Sequence, residues 1–218
     1  MAAAVEHEPV LRSIDCRTVV DIGANRGQFS LVSRECYPAA NIYAYEPLTG
    51  PAMQFRRLFE NDSRVLLNEM AISPHSGFEK IHISARDDSS SLMNISPLQS
   101  KIFPGTEEVS TQFVQVGPLT QTLTVREIAN PALLKIDVQG YEMQVLHGCA
   151  ELLDLFAYVY VECSFVELYA GQGLADEVIL FLQNKDYVLK GVYNMTYDRD
   201  GCAIQGDFLF ARPDVENA

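Results

Sequence analysis

Four acidic residues close short apolar stretches, and each has neighbours that give it chemical meaning. Asp21 belongs to VVDIGANRGQF at 19–29, where an apolar strand runs into a tight turn bracketed by Gly23 and Gly27. Glycine suits such a turn because a Cβ would hold the backbone away from a ligand, and the helix that follows begins with unpaired N–H groups. The spacing is GxxxG rather than the GxGxxG of dinucleotide folds. A carboxylate beside the turn would repel a pyrophosphate and attract a cation such as an ammonium or sulfonium group. Glu46 follows Gly27 by 19 residues, in YAYEP; an acid at that place can accept both ribose hydroxyls of an adenosine group. Asp137 stands in LLKIDVQGYE at 133–142, ahead of a Gln139-Gly140 turn, and Glu162 closes VYVE. Taken singly, each signal also fits a plainer role as a βα turn, a solvent-facing acid before proline, a helix cap or an exposed strand end. Together they describe carboxyls along one rim, where ligands of open α/β sheets bind.

The elements that must position these acids read as an alternation of strands and helices. The pattern predicts strands over 18–22, 41–45, 64–70, 133–137 and 157–161, with helices over 28–36, 50–61, 141–156 and 175–184. This is the signature of a parallel α/β sheet with both faces covered. Residues 78–84 alternate like a half-buried strand, 85–106 are polar without a period, and 109–125 read as extended. A polar loop of that length inside a domain is usually functional or mobile. The chain finishes with strands at 187–193 and 203–211 separated by an Asp200-Gly201 turn, a hairpin signal that makes the last strand antiparallel to its predecessor. The first dozen residues and the C-terminal ARPDVENA read as loosely held ends.

Composition narrows the class. With 218 residues, 48% hydrophobic, the chain is long enough for a substantial core and too apolar for disorder. Sixteen Lys+Arg against 29 Asp+Glu give a formal charge of -13, which disfavours nucleic acid as a partner. Cysteines at 16, 36, 149, 163 and 202 form no CxxC pair and read as buried, reduced thiols. The N-terminus lacks a secretory pattern and the longest apolar run is too short to span a bilayer, so the reading is a soluble, cytoplasmic protein without a membrane role. A homo-oligomer is compatible with the sequence, which does not fix the number of subunits.

The segments VVDIGANRGQF, YAYEP, NEMAIS at 68–73, SSSL at 89–92, LLKIDVQGYEMQVLHG and VYVECSF resemble the FkbM-type family of S-adenosylmethionine-dependent methyltransferases. The matches cover most of residues 18–170, in order. The resemblance implies a class I methyltransferase Rossmann-like α/β fold: a doubly wound, mostly parallel sheet of seven strands with an antiparallel last strand. It implies one methyltransferase domain over 1–218, with 1–16 as a lead-in and 74–125 as an inserted region and candidate substrate cover. S-adenosyl-L-methionine would lie at the strand ends. Gly23, Ala24, Asn25 and Gly27 would line its methionine side, Glu46 would take the ribose, and Glu69 and Ala71 would lie near the adenine. Asp21, Phe29, Pro47 and Asp137 complete the expected cofactor set. Family members often methylate hydroxyls, so the acceptor would be a sugar or natural-product small molecule.

For such a transfer, an acceptor oxygen and the methyl must be held about 3 Å apart and collinear, which can supply about 7–11 kcal/mol of the barrier. A base would add about 10²–10⁴-fold. Asp137 and Glu162 are the candidates, and Ser90, Ser91, Gln139 and Tyr141 are placed on the substrate side. No metal-ligand spacing is present, although Asp137 and Glu162 would be able to hold Mg²⁺. Two other classes stay open: a non-catalytic methyltransferase-like binding module, and a nicotinamide-dependent oxidoreductase, which the GxxxG spacing and antiparallel ending disfavour.

Overall fold

The structure is a computed structural model that describes residues 3–213. Seven strands form the main sheet: β1 (Thr18–Ile22), β2 (Asn41–Tyr45), β3 (Val65–Asn68), β7 (Ala132–Ile136), β8 (Tyr158–Ser164), β9 (Val188–Tyr197) and β10 (Ala203–Ala211). Their order across it is β3-β2-β1-β7-β8-β10-β9. Pairings among β1, β2, β3, β7 and β8 are parallel, and β10 runs antiparallel to both β8 and β9. The antiparallel ending expected from the Asp200-Gly201 turn is therefore present. The chain leaves β1 toward β2 and later returns to β7 on β1's other side, so the winding reverses between β1 and β7.

Both central strands, TVVDI and ALLKI, are buried along their whole length because helices cover the two faces. Side-chain alternation sends Val20, Ile22, Leu134 and Ile136 into one core, against Val145, Leu146 and Phe156. Val19 and Leu133 face the other core with Phe29, Val32, Ile42 and Phe55. Helices α2 (Gln28–Cys36), α3 (Thr49–Leu58), α5 (Glu142–Gly148) and α6 (Ala175–Gln183) flank the sheet.

Three expectations change. Helix α5 stops at Gly148 instead of reaching 156: a Cβ at Gly148 would come within 2.8 Å of the Ser73 backbone, so close packing fixes a glycine at the helix end. Cys149, Leu152, Leu153 and Phe156 still point into the core from an irregular segment, which is why their spacing reads as helical. Second, residues 85–106 are not structureless. They contain α4 (Pro97–Ile102), whose N-cap Ser96 accepts the Gln99 N–H at 3.3 Å. Third, the N-terminal segment is packed. Helix α1 (Glu8–Leu11) buries Val10 and Leu11, and the Tyr37 hydroxyl donates to the Leu11 carbonyl. At the other end, Ala211 and Arg212 are held by β10 and by a bond from the Arg212 N–H to Ala157, while residues 214–218 of ARPDVENA lie outside the described residues.

Between β3 and β7 the chain forms β4 (Ala71–Ile72), β5 (Gly77–Ser84) and β6 (Glu108–Gly117), which make a second sheet of order β4-β6-β5. The expected extended stretch at 109–125 is β6 followed by 3₁₀ turns at Leu119–Gln121 and Val125–Glu127. Cys16, Cys149 and Cys163 are buried free thiols, whereas Cys36 is half-buried and Cys202 exposed. Among the described residues, no helix is long and apolar enough to cross a membrane.

Candidate active site

A cavity of about 370 Å³ opens where β1 and β7 part, within the size range of cofactor sites (~300–1,000 Å³). Six residues expected from the sequence, Gly23, Ala24, Asn25, Phe29, Glu46 and Pro47, form one side of it. Ala71, Ser90, Ser91, Asp137, Gln139 and Tyr141 form the other. Four expected residues are not in its wall. Gly27 packs against α3, where a Cβ would come within 2.9 Å of both Phe55 and Phe59. Glu69 pairs with Arg56 at 2.7 Å, and hydrogen bonds from Thr49 and Arg56 hold its carboxyl below the ordinary value. Asp21 is fully buried beneath the wall, and Glu162 is half-buried to one side of it.

Asp21 does not present a free charge to a ligand. It sits opposite Lys135 in the β1–β7 register, on the same face of the sheet, and the two ion-pair at 3.0 Å. Ser30 donates to the second Asp21 oxygen at 2.7 Å. Lys135 also donates to the Gly23 carbonyl at 3.1 Å, so one lysine ties the glycine turn to β7. Burial alone would push the Lys135 ammonium down, but Asp21 and Asp137 outweigh it and the net direction is up. The sequence signal for Lys135 was present: a lysine inside LLKI, buried on both faces, has to find a partner.

The turn after β1 has little left to donate. The Gly23 and Ala24 N–H groups bond the Tyr45 carbonyl at 3.1 and 3.0 Å, and the Gly27 N–H bonds Ala24 at 2.8 Å. Asn25 N–H donates to Glu46 at 2.9 Å, and Arg26 N–H to the Asn25 side chain at 2.8 Å. A pyrophosphate, which needs such groups free, would find none between Gly23 and Gly27. What this side of the cavity offers is acceptors. Glu46 is buried and takes the Leu48 and Asn25 N–H groups at 2.7 and 2.9 Å, one on each carboxylate oxygen, and each such oxygen can take more than one donor.

On the opposite side, the Gln139 amide nitrogen lies 2.9 Å from Asp137 Oδ1 and 3.1 Å from Glu162 Oε2. Gln205 donates to the other Glu162 oxygen at 2.6 Å. Desolvation, reinforced by Asp137, Asp207 and Glu142, pushes the Glu162 carboxyl well above the carboxylate range. Asp137 is different: its side chain is 39% exposed, and its Oδ2 lies 3.9 Å from the Lys135 ammonium. The Tyr141 hydroxyl bonds Glu79 at 3.2 Å and Ser73 at 3.3 Å, which ties the start of α5 to β5. Ser90 and Ser91 are pinned as well. The Ser90 hydroxyl accepts the Ser84 N–H at 3.2 Å, and Ser91 exchanges backbone bonds with His82 at 2.7 and 3.0 Å.

Besides Lys135, sequence reasoning missed the N-terminal segment and Tyr169. Ala3, Ala4, Glu6 and His7 form part of the cavity wall, with the His7 ring 3.0 Å from the Tyr160 hydroxyl; nothing in MAAAVEHEPV signals this. Tyr169 packs its ring against Gly140 and donates its hydroxyl toward Gln139 Oε1 at 2.8 Å. Its surroundings, SFVELYAGQG, give no sequence sign of this role.

Glu142 holds the turn that carries Asp137 and Gln139. Its buried carboxylate takes the Gly140 and Val138 N–H groups at 3.0 and 3.3 Å, and burial pushes its pKa up to about 7. A carboxyl raised in the folded state contributes stability below its unfolded value near 4.5, and that stability is lost as the pH rises through about 7. The loss amounts to about 2–3 kcal/mol. Relative to wild type, the Tm of Glu142→Gln should therefore move up by roughly 5–10 °C between pH 4.5 and 8.5 in thermal melts. A gap that stays constant across that range would show that Glu142 does not titrate there.

The Methyltransferase FkbM domain model matches residues 21–189. The chain is 26% identical over 190 residues to the hexuronic acid methyltransferase AglP of Haloferax volcanii, covering 78% of this chain and 68% of that protein. It is 29% identical over 162 residues to the 2-O-methyltransferase NoeI of Sinorhizobium fredii, covering 71% of this chain and 66% of that protein. The chain thus spans about two thirds of the length of these relatives. The crystal structure of Methyltransferase FkbM from Methylobacillus flagellatus KT shares the fold, with a TM-score of 0.58 and 14% identity over 89% of this chain and 43% of that one. The matched span holds the glycine turn, Glu46, Asp137 and Glu162 and exceeds half of the 218 residues, so the chain belongs to the FkbM methyltransferase family.

Proposed function

We propose that this protein transfers a methyl group from S-adenosyl-L-methionine to a hydroxyl of a small molecule, a sugar or a natural product. The observation that carries the reading is the chemistry of the cavity beside the glycine turn: its N–H groups are bonded within the protein, and carboxylates face the space instead. That turn offers a pyrophosphate no free N–H between Gly23 and Gly27, which disfavours a dinucleotide, and the acids Glu46 and Asp137 suit a ligand with an ammonium, a sulfonium and a ribose diol. The bound cofactor would supply an activated methyl on a cationic sulfur.

The residues of this chain then have separable tasks. Glu46 accepts the ribose hydroxyls while its bonds to Asn25 and Leu48 hold it in place. Ala71 flanks the adenine end and Pro47 the ribose end. Asp137 draws the proton from the acceptor hydroxyl as the oxygen approaches the methyl. The 74–125 insertion covers the acceptor, with Ser90 and Ser91 on its inner side. The names of the two relatives, one acting on hexuronic acid and one a 2-O-methyltransferase, support a sugar hydroxyl as the acceptor.

Calorimetry tests the cofactor half directly. Glu46→Ala should weaken S-adenosylmethionine binding by about 10²-fold, since two hydrogen bonds to a charged group are lost. Binding of a nicotinamide dinucleotide in preference to S-adenosylmethionine, or affinity unchanged in Glu46→Ala, would refute the reading.

A further inference from the structure

We propose that Gln139 is a positioning residue that locks the Asp137 carboxylate for catalysis, rather than a group that binds the acceptor. The proposal rests on the methyl-transfer reading above. Its basis is that both donors of the Gln139 amide are already engaged with carboxyls and its oxygen already has a donor of its own. The two protons on Nε2 point at two different carboxyls, Asp137 Oδ1 at 2.9 Å and Glu162 Oε2 at 3.1 Å. The carbonyl oxygen takes the Tyr169 hydroxyl at 2.8 Å. A side chain that lines a cavity with nothing left to donate is poorly suited to reading a substrate.

The bridge is anchored at each end. Glu162 is fixed from β10 by Gln205 at 2.6 Å, and it belongs to a strand in the middle of the sheet. Tyr169 lies against Gly140, and its hydroxyl is also 3.1 Å from the Ser89 carbonyl in the insertion. The backbone at Gln139 has a φ of 58°, a left-handed conformation that a residue with a Cβ keeps only where its surroundings hold it. From that conformation the side chain reaches Asp137, which follows β7, and Glu162 of β8. The result is a line of contacts from the sheet centre through Glu162 and Gln139 to Asp137, with a branch through Tyr169 to the loop that carries Ser90 and Ser91. With Oδ1 tied by Gln139, the second oxygen of Asp137, 3.9 Å from the Lys135 ammonium, is the one turned to the acceptor hydroxyl.

Two variants and two measurements test this. Gln139→Met keeps the length of the side chain and removes both amide groups. Gln139→Asn accommodates the left-handed backbone but falls one methylene short, and it serves if the methionine variant does not fold. Transfer from tritiated S-adenosylmethionine would be followed with methyl glucoside and methyl glucuronide as acceptors. In both variants kcat should fall by about 10–100-fold with acceptor KM little changed, as for loss of an interaction made in the transition state. Independently of turnover, the side-chain amide resonance of Gln139 in nitrogen-15-labelled protein should shift both in Asp137→Asn and in Glu162→Gln. A rise in KM at unchanged kcat overturns the proposal, because it would mean direct acceptor contact. A resonance that either substitution leaves unmoved also overturns it, because the bridge would not exist. Shifts in both, in a protein that methylates neither glycoside nor any other hydroxyl offered, support the bridge and count against the methyl-transfer reading itself.

Discussion

Asp137→Asn should lower kcat for methyl transfer by about 10²–10⁴-fold, the usual contribution of a positioned general base, while the protein stays folded and still binds S-adenosylmethionine. Environment separates the two candidate carboxyls that the sequence offers, Asp137 and Glu162. Glu162 receives an amide proton on each oxygen and lies among other acids, in a desolvated setting that pushes its carboxyl well above the carboxylate range. It is poorly placed to meet an acceptor because it does not line the cavity. Asp137 lines the cavity and keeps a 39% exposed side chain beside the Lys135 ammonium. Asparagine preserves the shape and can still accept the Gln139 proton, so the loss isolates the ability to take a proton. Rapid-quench measurement of a single turnover would separate chemistry from product release. A drop of less than about tenfold would mean that alignment alone drives the reaction and that no base is needed at this position.

The sheet was legible in the sequence because its strands are short, apolar and punctuated by turn residues. β1, β2 and β10 match their expected limits, as does α2, since GANRG, Pro38, Glu46-Pro47 and Asp200-Gly201 bound them chemically. The switch point was legible for the same reason: a glycine turn after β1 and an acid after β7 mark it. Contacts made by side chains from distant segments were less legible. Asp21 read as an acid waiting for a cation, and a cation does meet it, but it is Lys135 of the neighbouring strand. Gln139 read as a substrate ligand because its distance from Asp137 in sequence says nothing about Glu162, which lies 23 residues further on and reaches it only through the β7–β8 pairing. The packing of α1 was hidden because four helical residues carry no measurable period, and α4 was hidden behind the polar composition of its neighbours, although Ser96-Pro97 is a helix-start pair.

Gly23→Ala should destabilise the fold by more than about 4 kcal/mol, enough to lower Tm by at least roughly 8–16 °C, and should abolish cofactor binding at the same time. Two separate costs act there. The backbone has a φ of +78°, and a Cβ would be driven into the Asp137 carbonyl group, whose carbon it would approach to 2.9 Å. The first cost is modest and can be measured elsewhere in the same protein. Gly201 has a φ of +83° in the β9–β10 turn, and nothing lies within 4 Å of the place a methyl would take, so Gly201→Ala should lose only the conformational term, about 1–2 kcal/mol. The difference between the two variants in thermal melts then measures the clash alone. That clash falls where the Asp137 N–H bonds the Ile22 carbonyl at 3.2 Å, the last link between β1 and β7 before they part to form the cavity. Relief requires the strands to spread, which would pull Lys135 from the Gly23 carbonyl and Asp137 from its partners. Stability and function therefore share one contact at the switch point. Equal losses in the two variants would show that backbone conformation, and not the approach of Gly23 to Asp137, is what glycine supplies there.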